Sequence, residues 1–274
     1  MSTAKLKNII LLVLVFLNLF FLTLIAVDAV RETATRRRTI EQLTQIMQNS
    51  GVTVDGDIIP KIDAPRAQST SRDAYAEATL ARIALGDCEP VDSGGTSTTY
   101  IADNGEGTAI FNIRSEFVID YTYGLDISGD LVSAVKKQLR RMKIETEEPR
   151  VAFAEGDLTI IVAEIRCRDM PTFNCTVSFE FENSLLMRIS GRRPSAITEV
   201  SGGRERNLPT AMLGFLQYIL DGGAEVTEIT EITAGYSMNV GVFGAGELAP
   251  VWRFTTDDGV FLVNALTGQV EDVF

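Results

Sequence analysis

Few side chains in this sequence could carry out acid–base or nucleophilic chemistry. It has no histidine among its 274 residues, which removes Ser–His–Asp and Cys–His catalysis and the most common metal ligand and proton shuttle. Asp257 and Asp258 are adjacent carboxylates, but neighbouring residues at a strand end point apart, and Gly259 after them favours a turn. We therefore expect a protein that binds or regulates a partner and is not an enzyme, with no cofactor and no metal site.

The cysteines are Cys88, Cys167 and Cys175, an odd and sparse set that does not indicate a disulfide-built scaffold. Cys167 and Cys175 flank a loop that contains Pro171, between two strand-like runs. They could therefore pair across a hairpin, and two reduced thiols agree with the sequence equally well. None of the spacings resembles a zinc site.

The net charge of −12 excludes nucleic-acid binding, because the chain cannot offer a large surface that neutralises phosphates. Lys136, Lys137, Arg140 and Arg141, followed by Lys143, nevertheless form a basic face at helical spacing. Such a face is most often simply solvated. It could also contact an acidic partner, a lipid or a wall polyanion, so these residues are a candidate contact site.

The longest apolar stretch covers residues 9–27 and is interrupted only by Asn18 and Thr23. At about 1.5 Å per helical residue, this run spans roughly the 30 Å of a bilayer's hydrocarbon core. It predicts a transmembrane helix over 9–27, preceded by a short N-terminal segment, residues 1–8.

The positive charges do not decide the orientation of this helix, because Arg31 and the arginines at 36–38 follow it. Residues 1–8 are too short to be a translocated domain, so we predict a cytosolic N-terminus and an extracytoplasmic C-terminal domain. The protein would then be a single-pass protein of the cell membrane, in contact with membrane lipid. Cleavage near Val27-Asp28-Ala29 remains an alternative, although the apolar run is longer than a usual signal-peptide core.

One stripe of the predicted span could contact a partner helix. At three- and four-residue spacing it comprises Leu11, Leu14, Asn18, Phe21 and Ile25. An unpaired amide in the middle of a bilayer is unfavourable, so a partner helix could supply the missing hydrogen bond to Asn18. The alternative is that the helix tolerates one uncharged polar residue.

The remaining chain alternates helical and strand-like patterns, which predicts an α+β fold with antiparallel sheets and not a parallel nucleotide-binding sheet. We expect a membrane-proximal helix and a first α+β lobe over 28–125, and a second α+β lobe or lobes over 126–274. The predicted helices are 32–48, 76–84, 131–142 and 209–220. The predicted strands are 98–102, 108–114, 117–123, 151–153, 158–165, 175–181, 185–190, 225–238, 251–255 and 260–264. Trp252 and Phe254 are expected in the core.

Both ends of the chain resemble known families. The sequence APVWRF at 249–254, the turn DDG at 257–259 and VFLVNALTGQV at 260–270 resemble the final hairpin of PepSY-like and YycI/YycH-type domains. FLNLFFL at 16–22 resembles the core of the YycI transmembrane helix. The resemblance implies an accessory regulator of a WalK-type sensor histidine kinase in Gram-positive bacteria. It would act with a YycH-like protein through transmembrane contacts to control cell-wall metabolism.

Two other classes of function remain open from the sequence. One is an exported PepSY-like module that binds a ligand or inhibits a protease, and it would act as a free domain. The other, a surface enzyme, has the weakest support, because the chain offers few catalytic side chains.

Overall fold

In a computed structural model of the chain, helices pack on one large and mostly antiparallel sheet. The structure describes residues 14–15, 17–23, 35, 38–92, 95–127, 129–200, 207–241 and 244–273. The predicted α+β class is confirmed at this level.

The predicted transmembrane segment is described only in part. Residues 14–15 and 17–23 are helical and exposed, whereas 9–13, 16 and 24–27 lie outside the described residues. Within the described part of the chain, no helix is both long and apolar enough to cross a membrane. The membrane span therefore stays a prediction.

Side-chain caps define the starts of three helices. Asp73 accepts hydrogen bonds from Tyr75 N and Ala76 N, Asp130 accepts one from Ser133 N, and Asn207 accepts one from Thr210 N. The helices are α1 at 38–49, α2 at Ala74–Leu85, α3 at Leu131–Met142 and α4 at Leu208–Leu220, with a 3-10 helix at Gly56–Ile58.

Within the described residues, the sheet has 15 strands joined by continuous backbone pairing. The strands are β1 Thr53–Val54, β2 Gln68–Thr70, β3 Cys88–Asp92, β4 Ser97–Ala102, β5 Gly107–Asn112, β6 Glu116–Asp126, β7 Arg150–Glu155, β8 Leu158–Cys167, β9 Met170–Glu182, β10 Leu185–Arg192, β11 Thr198–Glu199, β12 Glu228–Val240, β13 Gly246–Thr256, β14 Val260–Asn264 and β15 Val270–Val273. The main order is β11-β2-β13-β12-β9-β10-β6-β5-β4-β3, while β7 pairs with β8, and β8 with β9.

Within the described residues, two large hydrophobic clusters lie against this sheet, and Phe173, Val251 and Leu262 form a small third one. The first packs α2 and α3 on β4–β6 and β8–β10, around fully buried Phe179 and Phe181. The second packs α1 and α4 on β12–β14, around Trp252 and Phe254, so both aromatic residues are in the core as predicted. The first cluster contains residues from both sides of residue 125, and the predicted division into lobes at that position stays a prediction.

The two clusters meet where β9 runs beside β12. A single parallel pair, Tyr236 with Thr172, joins the strands. The Asn174 side chain extends this pairing: its amide nitrogen donates to Met238 O at 2.9 Å, and Met238 N donates to its oxygen at 2.7 Å. A side-chain amide thus replaces a backbone peptide in the sheet. We call this region the β9–β12 junction.

An ion pair supports the same junction. Arg253 Nη1 on β13 donates to both carboxylate oxygens of Glu164 on β8, at 3.0 and 3.1 Å. The Arg253 guanidinium also lies 4.3 Å above the ring centroid of Phe173 on β9, a cation–π contact. One side chain therefore links strands of both clusters.

Candidate functional site

The predicted basic residues lie on α3, whose periodicity divides the helix into two faces. Val135, Leu139 and Met142 point into the first cluster and are buried. The opposite side carries the charges: Lys137, Arg140, Arg141 and Lys143 are exposed and Lys136 is half-buried. The structure therefore brings all the predicted basic residues together on one exposed surface, which we call the α3 basic surface.

The ends of α3 suit these charges. Asp130 caps the N-terminus, and the hydrogen bond with Ser133 lowers the pKa of its carboxyl group. Arg140 and Arg141 lie in the last turn, where the helix dipole favours cations. Part of the charge pattern thus stabilises the helix itself, whether or not a partner binds.

A groove runs along each side of α3. The groove toward β6 has a volume of about 400 Å³ and the groove toward the following loop about 530 Å³. The first is lined by Leu125, Asp126, Ile127, Asp130, Ser133, Ala134, Lys137, Gln138 and Arg141. The second is lined by Lys136, Leu139, Arg140, Lys143, Ile144, Glu145, Thr146, Glu147, Glu148, Pro149, Arg166 and Asp169. α3 is therefore a ridge between two depressions that a partner could fill.

Ion pairs neutralise some of the charge on one side of this ridge. Lys136 Nζ lies 2.5 Å from Glu148 Oε2, and Arg166 Nη1 lies 2.8 Å from Glu147 Oε1 in the second groove. Lys137 and Arg141, on the first groove, have no such partner among the residues that the structure describes. Arg140 and Lys143, on the second groove, likewise form no ion pair within the described residues, so exposed cations are available to an external anion on both sides of α3.

Tyr121 on β6 lies near Arg141 of the α3 basic surface. It is half-buried, and its hydroxyl donates to Ala84 O at 3.4 Å. Burial raises the pKa of Tyr121 to about 12, while the nearby Arg141 has a smaller, lowering effect. The phenol therefore stays neutral at physiological pH and adds no negative charge beneath Arg141.

The other predicted contact site, the stripe in the apolar run, is only partly described. Leu14, Asn18 and Phe21 are exposed on their helical segment, whereas Leu11 and Ile25 lie outside the described residues. The Asn18 amide donates to Leu14 O at 2.9 Å, within its own helix. This bond satisfies one amide donor locally and leaves the remaining donor and the oxygen for any partner.

Asp257 and Asp258 have the turn role that the sequence predicts. Asp257 accepts hydrogen bonds from the side chain of Thr227 and from the backbone N–H groups of Thr227 and Glu228, while Asp258 accepts one from Glu225 N. Chiefly through the Thr227 side chain, these bonds lower the pKa of Asp257 to about 2. Both carboxylates thus join the start of β12, and the residues just before it, to the β13–β14 turn by hydrogen bonds.

All three cysteines are free and buried. Burial raises the pKa of the Cys175 thiol to about 12 and also raises that of Cys167. Of the two alternatives left open by the spacing, the structure has reduced thiols, which are poor nucleophiles at neutral pH.

The acidic walls of the two grooves were not predicted from the sequence. Asp126 is the last residue of β6, and Glu145, Glu147 and Glu148 lie in a loop, and acidic residues at such positions are ordinarily just solvated. Only their position beside α3 makes them part of a surface. Their spacing from Lys137 along the sequence follows no helical or strand periodicity, so no local pattern indicates that they lie beside it.

These features define an α+β protein with helices on one side of an antiparallel sheet and a charged helix as its main candidate contact surface. No protein-family model matches the sequence, and no curated protein matches it. Among solved structures, the chain is similar to an uncharacterized protein from Eubacterium rectale, with 8% identity and a TM-score of 0.45 over 78% of this chain and 86% of that one. It is also similar to the Bacillus megaterium YpeB C-terminal domain, with 11% identity and a TM-score of 0.37 over 75% of this chain and 99% of that one. With TM-scores this low, neither likeness supports a conclusion about fold or function.

Proposed function

We propose that this protein is a membrane-anchored accessory regulator of a WalK-type sensor histidine kinase, of the YycI type, that acts by protein–protein contacts. In this proposal the apolar run at 9–27 holds the chain in the cell membrane with its N-terminus in the cytosol. The domain after it lies outside, where it meets the kinase and a YycH-like protein and contributes to cell-wall homeostasis.

The observation that carries the proposal is the α3 basic surface. It combines exposed cations with grooves on both sides of the helix, and the cations are Lys137, Arg140, Arg141 and Lys143. On a chain with a net charge of −12, such a surface favours contact with an acidic partner. The sequence resemblance at both ends of the chain supports the choice of a sensor kinase and its accessory protein as the partners.

An alternative function is an exported PepSY-like module that binds a ligand or inhibits a protease. The groove between β6 and α3 favours it, because Asp126 lies on one wall and Lys137 and Arg141 lie on the other. Such a groove could bind a short peptide through the peptide's positive and negative groups at once. Unlike a membrane regulator, this module would act without the apolar run.

We predict that charge reversal on α3 weakens association with the kinase. In the double variant Lys137→Glu, Arg141→Glu, two attractive pairs are lost and two repulsive ones are created. At ~0.5 kcal/mol each, these changes sum to about 2 kcal/mol, or roughly 30-fold in affinity. The measurement is binding of the full chain to the full-length kinase, both in lipid nanodiscs, at two salt concentrations.

A matched control makes the same charge change elsewhere. Lys61 and Arg114 are exposed and lie outside the grooves beside α3, so Lys61→Glu, Arg114→Glu should bind like the wild type. An equal loss of affinity in both double variants would show that binding depends only on the net charge of the chain. No loss in either would remove α3 from the interface.

A further inference from the structure

A second surface lies on the side of the sheet away from α2 and α3. Strands β7 and β8 present the exposed side chain of Phe153 and the half-buried side chains of Leu158, Ile160 and Val162 on this side. Phe153 is 42% exposed, an unusually high value for an aromatic residue in a sheet. With the carboxylates Glu155, Glu180 and Glu182, these residues form what we call the outer β7–β10 face.

The strand register places these side chains on one face. Phe153 pairs with Ile160, Ile160 with Glu180, and Glu180 with Arg188, in one row across β7, β8, β9 and β10. The next row contains Glu155, Leu158, Glu182 and Leu185. The alternate residues of β8 and β9 point the other way, and Ile161, Ala163, Phe179 and Phe181 are buried under the helices. In the part of the chain that the structure describes, these outer rows are therefore on the side of β7–β10 that α2 and α3 do not cover.

The edge of this sheet is unsuited to adding another strand. β7 pairs only with β8 among the described strands. A bulge lies between Val151 and Phe153, Pro149 precedes the strand, and Arg150 and Glu155 place charges at its ends. Bulges, prolines and charges are the features that block edge pairing in natural sheets. A partner would therefore contact the face and not the edge.

The charges on the face select the kind of partner. Glu180 and Glu182 on β9 and Glu155 at the end of β7 lie beside the apolar side chains, whereas Arg188 forms an ion pair with Asp120 at 2.5 Å. Arg150, which pairs with Val162, is the remaining cation in these rows. A second copy placed face to face would oppose carboxylates with carboxylates, and an anionic membrane would be repelled in the same way.

We propose that the outer β7–β10 face is the docking site for an amphipathic helix of a partner protein, with lysine or arginine beside its apolar stripe. Four strands at ~4.8 Å spacing are about 14 Å wide, enough for one helix of about 10–12 Å diameter. Phe153, on the edge strand β7, would be the aromatic anchor, and Glu180 and Glu182 on β9 would contact the basic side chains beside the helix's apolar stripe. This surface lies on the opposite side of the sheet from α3, so the inference does not depend on the proposed function.

The test uses the full chain in nanodiscs of zwitterionic lipid, with empty nanodiscs subtracted. The probes are two 14-residue helical peptides with the same leucine stripe, flanked by lysine in one and by glutamate in the other. We expect the wild type to bind the lysine peptide at least tenfold more tightly than the glutamate peptide. Phe153→Ser should weaken binding about tenfold or more, and Glu182→Lys several-fold.

Two matched controls lie outside this face. Tyr75→Ser removes an aromatic residue that is 81% exposed on α2, and Glu271→Lys reverses an exposed carboxylate on β15. Both should bind the lysine peptide like the wild type. Glu155→Lys is a further variant at an exposed position, so a folding defect in Phe153→Ser would not end the test.

Three outcomes would overturn the proposal: no binding above empty nanodiscs, equal affinity for both peptides, or equal loss in the face variants and the controls. Light scattering of the same samples could show a fourth outcome that overturns the proposal. Self-association of the wild type that Phe153→Ser abolishes would assign the face to a second copy of the chain, and would exclude the helix partner.

Discussion

Phe254→Ala is expected to lower the free energy of unfolding by ~3–5 kcal/mol, the usual cost of removing a buried aromatic side chain. Phe254 is fully buried on β13. Its ring stacks on Phe215 of α4 with centroids 4.7 Å apart, and Phe215 in turn lies 5.2 Å from Phe261 on β14. The substitution would open a cavity between α4 and the C-terminal strands, where these three rings fill the second cluster.

The measurement is pulse proteolysis of the full chain in increasing urea, which needs no separate domain. Leu213→Ala is the matched control, because Leu213 lies on α4 but is 47% exposed. We expect that variant to change stability by less than about 0.5 kcal/mol. A Phe254→Ala protein as stable as the control would contradict the packing of α4 on β13.

Gly235→Val, at the β9–β12 junction, is the second substitution expected to lower the free energy of unfolding strongly. A Cβ atom at this position would lie 2.5 Å from Pro171 O and 2.6 Å from the Phe173 ring. Neither can move freely, because Thr172 between them pairs with Tyr236, and Phe173 lies under Arg253. We expect a loss of about 3 kcal/mol, at the upper end of what overpacking usually costs.

The readout for Gly235→Val is native-state hydrogen exchange followed residue by residue. Amides of β9 and β12 near the junction should lose protection more than amides of β4 and β5. Gly214→Ala is a control that we expect to raise the free energy of unfolding. Its Cβ would meet only Gly268 O at 3.6 Å, and alanine favours helix by up to about 1 kcal/mol. If the two variants showed the same hydrogen-exchange protection near the junction, β9 and β12 could not approach each other this closely.

The helices and central strands could be predicted from the sequence because their patterns are local. α2 begins at a capping aspartate and ends at Gly86, and α3 has apolar residues at three- and four-residue spacing. The alternation in β9 likewise places Val177, Phe179 and Phe181 on the buried side. Each signal lies within one segment and needs no knowledge of its neighbours.

What the sequence did not predict depends on distant pairing. The segment 52–71 mixes proline, aspartate, serine and glycine, a composition typical of a loop, yet β1 pairs with β12 and β2 pairs with β13. These strands have only two or three residues and no periodicity of their own. Similarly, Asn174 lies 64 residues from the backbone group it bonds. Tertiary contact decides such elements, and no local pattern indicates them.

The limits of helical periodicity are visible in α1 and α4. Ile46 belongs to the apolar pattern of α1, and Leu213 and Leu220 belong to that of α4, yet all three are exposed. Each helix carries more apolar residues than its contact with the sheet can cover. The α3 basic surface was predictable from spacing alone, whereas its grooves depend on Asp126 and on the loop at 145–149, whose positions only the fold determines.

The central claim is that the chain regulates a sensor kinase while held beside it in the membrane. The most direct measurement is the autophosphorylation rate of the full-length WalK-type kinase in nanodiscs, alone, with the full chain, and with a chain in which an unrelated span of equal length replaces residues 9–27. We predict that the full chain changes the rate, that the replaced span reduces this change, and that Lys137→Glu, Arg141→Glu reduces it further. The same autophosphorylation rate with and without the full chain would contradict the claim.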